Sequence, residues 1–115
     1  MANTFKTVTK AGVTSADVIY TVAGSTTTVI LGLMLGNTTS SAITSTVTLG
    51  SDTAGRAGNN DEANQDVELI TSTTIPAYST LELLGGNKVV METTDTLSVT
   101  GSGATDVALS IMEIT

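Results

Sequence analysis

The sequence predicts an all-β protein: an antiparallel two-sheet sandwich, jelly-roll-like, of about eight to nine short strands. Three observations carry this. Threonine alternates with Val, Ile and Leu along much of the chain, turn residues punctuate it every ~8–12 positions, and no segment has convincing helical periodicity. A β-branched residue with a polar tip suits the solvent face of a half-buried strand. Antiparallel strands are joined by tight turns, whereas a parallel sheet would need helical crossovers. A small barrel is the second architecture compatible with this pattern.

In chain order, strands are expected at Phe5–Lys10, Val18–Val22, Thr27–Gly36, Ile43–Leu49, Val67–Thr74, Thr80–Leu84, Val89–Glu92, Thr96–Thr100 and Val107–Ile114. Their separators are turn chemistry: Gly12, Ser15-Ala16-Asp17, Gly24-Ser25, Asn37 to Ser41, Gly85-Gly86-Asn87, Thr94-Asp95 and Gly101-Ser102-Gly103, with Pro76 opening one connection. In Ile43–Leu49, a core row of Ile43, Val47 and Leu49 backs a wet row of Thr44, Thr46 and Thr48. Strict alternation in Thr28–Leu35 places Val29, Leu31, Leu33 and Leu35 on one face, and Ile30 and Met34 beside Gly32 on the other. Both faces therefore want cover, from a loop, the N-terminal segment or a neighbouring subunit. In Val107–Ile114, Val107, Leu109 and Ile111 form a core row, while the opposite row ends in apolar Met112 and Ile114.

The 115 residues fit one domain, 1–115, able to bury an ordinary core without disulfides or metal. There is no Cys, His or Trp, so Cys/His zinc sites, Ser-His and Cys-His nucleophilic pairs and dithiol redox chemistry are excluded. The formal net charge of −7 argues against phosphate-backbone binding, and Phe5, Tyr20 and Tyr78 are the only aromatics available for base stacking. Neither nucleic acid nor a membrane is expected as a partner: no stretch approaches the ~18 apolar residues of a span, and no basic segment leads into an apolar signal core. The chain is read as soluble and made in a cytoplasm.

Gly50–Asp66 is the one long irregular segment. Loops of this length are uncommon in compact domains and tend to serve a partner, an ion or mobility. Asn60, Asp61, Glu62, Asn64 and Asp66 carry oxygens of the kind Ca²⁺ prefers, with Asp61, Glu62 and Asp66 the carboxylate candidates. The spacing departs from the EF-hand pattern and lacks its central Gly, so a solvated turn is the default and no metal or cofactor is assigned. Gly101-Ser102-Gly103 and Gly55-Arg56-Ala57-Gly58 lack the remaining elements of phosphate-binding loops and read as turns. Asn37-Thr38-Thr39 matches the glycosylation acceptor pattern incidentally. Glu92 with Asp95, or Glu82 with Glu92, reads as solvated strand-face acid rather than as a glycosidase pair. No enzyme is expected.

Apolar residues on the second face of the third strand and at the end of the last one make Ile30, Met34, Met112 and Ile114 interface candidates, and a homo-oligomer, a trimer first, is expected. The N-terminal segment Met1–Lys10 adds Phe5, Lys6, Val8 and Lys10. It is either the first strand, with its lysines discouraging edge pairing, or an arm that docks Phe5 and Val8 on a neighbour.

The order of these pieces also resembles a family. Val18-Ile19-Tyr20-Thr21-Val22, Thr26-Thr27-Thr28-Val29-Ile30-Leu31-Gly32-Leu33-Met34-Leu35-Gly36-Asn37, Ile75-Pro76-Ala77-Tyr78-Ser79-Thr80-Leu81, Met91-Glu92-Thr93-Thr94-Asp95-Thr96-Leu97-Ser98-Val99-Thr100 and Ser110-Ile111-Met112-Glu113-Ile114-Thr115 together resemble small virion structural proteins of tailed phages, especially marine cyanophage-type ones. The likeness spans nearly the whole chain. It departs from the family at Ala23-Gly24, where Pro is usual, and in the lengthened Gly50–Asp66 loop. The resemblance implies a β-sandwich module on the virion, with a decoration or cement protein on the outside of the head as the leading role and the major capsid protein or other virion proteins as partner. The alternatives are a tail, neck or fibre-associated structural protein, and, from another class, an adhesin-like or carbohydrate-binding module.

Overall fold

The structure, a computed structural model, describes residues 2–51 and 63–115. Among these, nine strands follow one another without a helix: β1 (Asn3–Val13), β2 (Asp17–Thr21), β3 (Thr27–Asn37), β4 (Ile43–Gly50), β5 (Val67–Ile75), β6 (Thr80–Leu83), β7 (Val89–Met91), β8 (Thr96–Gly101) and β9 (Thr105–Ile114). They form two antiparallel sheets. One has the order β1-β9-β3-β6, with β7 also paired to β3, and the other has the order β2-β8-β4-β5. With the short β7 set aside, the chain alternates between sheets except at the β4–β5 hairpin, which is the strand order of a jelly roll.

The inward faces meet in one core. Ile30, Leu33, Leu35, Leu109 and Ile111 from the first sheet face Val47, Leu97 and Val99 from the second, all fully buried. Burial of each such side chain stabilises the fold by roughly 1.5–3 kcal/mol before conformational entropy is counted.

β3 departs from the alternation expected of it. Its pairing with β9 shifts register between Ile30 and Gly32, and this bulge at Leu31 turns the strand's phase. Ile30 consequently points inward with Leu33 and Leu35, while Val29 and Met34 point outward. The expectation that Ile30 shares the outer face with Met34 is corrected by that single extra residue.

Asn37 ties the β3–β4 loop to the turn after β5. Its Nδ2 donates to the carbonyls of Ser41, Ile75 and Pro76 at 2.8, 3.0 and 3.1 Å, and its Oδ1 accepts from the Thr39 amide and hydroxyl. The apparent glycosylation acceptor is therefore a buried structural residue. Gly101, at the end of β8, is required by close approach: a Cβ there would lie 2.6 Å from the Val13 carbonyl oxygen. The Ser102 amide donates to the Thr44 carbonyl at 2.9 Å and the Ser102 hydroxyl accepts from the Thr44 amide at 2.8 Å, which ties the Gly101-Ser102-Gly103 turn to β4.

Candidate functional site

Residues directly opposite one another in an antiparallel ladder share a face. The registers of the first sheet therefore fix what its outer surface presents. Phe5 on β1 lies opposite Met112 on β9, Met112 opposite Val29 on β3, and Val29 opposite Val90 on β7. Four apolar side chains thus form one row across the sheet. Phe5 is 71% exposed and Val90 61%, with Val29 and Met112 half-buried between them.

Neighbouring rows extend the patch. Ile114 lies on the same face one pair further along β9, between Asn3 and Thr27, and Met34 lies opposite Ala108 toward the other end. Where the rows hold small residues the surface is hollow. A depression of about 290 Å³ is lined by residues including Phe5, Thr7, Leu31 and Ser110, and another of about 360 Å³ by Ala11, Met34, Gly36 and Ala108 among others. Among the described residues paired in this sheet, the acids on this face are Glu82, opposite Met34, and Asp106, opposite Gly36, both at its margin. An apolar surface spanning four strands is the kind of feature that marks an interaction site.

The interface candidates divide accordingly. Phe5, Met34, Met112 and Ile114 come together on this outer face. Ile30 does not, being in the core. Lys6, Val8 and Lys10 lie on the inward side of β1, opposite Ile111, Leu109 and Val107. The N-terminal segment is thus placed as the first strand, bonded to β9, rather than as a free arm; Met1 lies outside the described residues. Val29 and Val90 are members that sequence reasoning missed: strict alternation puts Val29 on the face of Leu33 and Leu35 because the bulge leaves no local signature, and Val90 gains its place through pairing with β3.

At the end of the inward face sits a polar cluster. Lys6 Nζ lies 2.7 Å from Glu113 Oε1, and the Tyr20 hydroxyl lies 2.6 Å from Glu113 Oε2 and 2.8 Å from Thr28 Oγ1. Bonding from Lys6 and then Tyr20 holds the Glu113 carboxyl below the usual carboxylate range. Burial, reinforced by Glu113, pushes the Tyr20 phenol up. Lys10 forms a longer pair with Asp17, at 3.7 Å. These contacts tie β1 and β9 to β2 and make a structural seam.

Of the calcium candidates, Asp61 and Glu62 lie outside the described residues. Asp66 accepts a hydrogen bond from the Ser51 amide at 3.0 Å and helps to close the base of the long loop. Among the described residues no group of three or more carboxylates converges on a common point.

No family model matches the sequence, and neither does any characterised protein sequence. A solved structure from Bacillus endospore appendages, described as forming a novel family of disulfide-linked pili, aligns with a TM-score of 0.51 and 14% identity over 99% of this chain and 87% of that one. This likeness concerns the fold: the sandwich is one that a structural appendage protein also uses.

Proposed function

We propose that the chain is a non-catalytic structural module that acts in many copies, docking on a larger assembly through the outer face of the β1-β9-β3 sheet. The observation that carries this is the uninterrupted row Phe5, Met112, Val29 and Val90. Many modest apolar contacts, repeated over a particle, hold firmly through their number. In the finer form of the proposal the assembly is a tailed-phage virion and the chain decorates and cements the outside of the head, bound to the major capsid protein as a homo-oligomer. The sequence resemblance to small virion proteins supports that choice.

The likeness to a pilus protein favours a second reading, a subunit of a fibre or tail-like appendage. The linkage named for that pilus has no counterpart within these 115 residues, which contain no Cys, so assembly here would rest on non-covalent surfaces. Quantitative composition of purified virions separates the readings. Decoration requires a copy number comparable with that of the shell subunit. A few copies per particle point to the tail or neck, and absence from virions overturns the virion assignment.

A further inference from the structure

We propose that the hollow at the Met34 end of the outer face seats an arginine side chain of the protein on which this chain docks. The inference rests on the docking reading above and names the chemistry of the partner.

Two adjacent rows of the ladder build the hollow. In one, Thr9 of β1, Ala108 of β9, Met34 of β3 and Glu82 of β6 lie side by side, and in the next, Asp106, Gly36 and Thr80 do. Ala108 and Gly36 carry a methyl group and a hydrogen where their neighbours carry longer side chains. The floor is therefore low, with 47% exposed Met34 rising on one side and Thr9 on the other. The resulting depression of about 360 Å³ is of the size of a site for a single long side chain or small molecule.

The end wall is a bulge in β1. Lys10 pairs with Val107 and Val13 with Thr105, so Ala11 and Gly12 together oppose the single residue Asp106. Gly12 takes a φ of 68°, a left-handed conformation that favours glycine, and its N–H donates to Asp106 Oδ1 at 3.0 Å. The carboxylate is thereby fixed at the edge of the hollow. Its Oδ2 takes no hydrogen bond or ion pair from the described residues.

Charge selects the occupant. Lys6 and Lys10 lie on the inward side of β1, where they pair with Glu113 and Asp17; Lys10 borders the hollow, but its ammonium is turned to Asp17. Lys88 precedes Val89, which pairs with Ile30, six residues and about 20 Å along β3 from Gly36. Among the described residues, then, no cation answers Asp106, and Glu82 adds a second negative charge to the same margin. One fixed carboxylate offers too few ligands for a metal ion. An occupant complementary to the hollow is apolar along its length and cationic at its end. Arginine meets both demands: its stem lies on Met34 and Ala108, and its planar guanidinium forks onto the Asp106 carboxylate with donors left for the rim hydroxyls of Thr9 and Thr80.

The test uses the whole chain and a defined probe, the peptide acetyl-Leu-Arg-Leu-amide, beside its citrulline counterpart, which keeps the shape and lacks the charge. In amide NMR spectra the arginine peptide is expected to shift Gly12, Gly36 and Ala108 saturably, and the citrulline and lysine peptides to bind about tenfold more weakly or less. Asp106→Asn should erase the preference for arginine; it retains Oδ1 as acceptor for the Gly12 amide, so the bulge is kept. Ala108→Leu, which fills the floor and leaves the charge, should also lose the arginine peptide, whereas Glu68→Gln on the other sheet should not. If Ala108→Leu fails to fold, Asp106→Asn decides. Equal shifts from the arginine and citrulline peptides, an arginine preference that survives Asp106→Asn, or a wild-type chain that self-associates through Asp106 would overturn the proposal. Co-sedimentation with the assembly separates it from the docking reading. Association lost in Val90→Asp with Met112→Asp but unchanged in Asp106→Asn would keep the docking face and remove its arginine; association unchanged in both would remove the two together.

Discussion

The two outward faces of the sandwich are built on the same kind of strand and end in opposite chemistry. On the β2-β8-β4-β5 sheet, the aligned residues are Val18, Ser98, Thr48 and Glu68 in one row, Thr100 and Thr46 in the next, and Thr44 and Thr74 beyond them. On the β1-β9-β3 sheet, the corresponding surface presents Phe5, Met112, Val29, Val90, Ile114 and Met34. Threonine and valine have nearly the same shape and both favour strands, but the threonine hydroxyl meets water. The threonine-rich face shows that this chain forms stable-looking sheet without an apolar exterior. Strand propensity therefore does not explain the apolar exterior of the other sheet, and this is the ground on which an interaction is proposed for it.

That contrast can be broken most directly with charge. Val90→Asp and Met112→Asp together are expected to abolish association with the particle or filament while leaving the circular dichroism spectrum intact, as read by co-sedimentation. The same two charges placed on the other sheet, at exposed Thr74 and Thr100, should leave association unchanged. Equal loss from both pairs would mean that the apolar face has no special role. A second comparison sharpens where the face begins. Ile30→Ala should destabilise the fold by about 2–5 kcal/mol in urea denaturation, as expected for a fully buried aliphatic side chain. Its neighbour Val29→Ala should cost about 1 kcal/mol or less. Reversed costs would remove the bulge at Leu31 from the account and return Val29 to the core.

Much of this architecture was legible in the sequence, for a physical reason. Each strand announces itself locally, through β-branched alternation between turn residues, and all nine expected strands are present with ends shifted by a few residues. The core row Val107, Leu109 and Ile111, and the apolar end of the opposite row at Met112 and Ile114, followed directly from period two. Register across distant strands has no such local sign. Nothing near Phe5 in sequence says that it will face Met112, and nothing near Val90 says that it will complete the row through Val29. The bulge was hidden for a related reason. An apolar run such as Val29 to Leu35 fits either phase, and only pairing with β9 decides where the extra residue goes. Asn37 shows the converse failure, a surface motif in sequence that folding turns into an internal tie.

The smallest expected effect lies at the seam, where Glu113 joins β9 to Lys6 of β1 and Tyr20 of β2. Glu113 has its carboxyl pKa lowered in the folded state, so the folded chain holds its proton less tightly than the unfolded chain does. Its contribution to stability is therefore complete above the ordinary glutamate value, and is lost as pH falls through the lowered value. Tyr20 is shifted the other way: its raised phenol contributes fully below the ordinary tyrosine value and loses that contribution as pH rises past it. Melting temperature measured against pH should thus decline on both flanks. Glu113→Gln should flatten the component of the acid limb that Glu113 supplies, with a modest loss of stability near neutrality because the Lys6 pair is gone. It should also reduce the upward shift of Tyr20, seen as an earlier rise in phenolate absorbance on alkaline titration. Charges added to the threonine-rich face at Thr74 should leave the Tyr20 titration in place, because that face makes no contact with the seam in the hydrogen bonds and ion pair that define it. An acid limb identical in wild type and Glu113→Gln would show that the seam does not couple the outer strand of the apolar sheet to the rest of the sandwich.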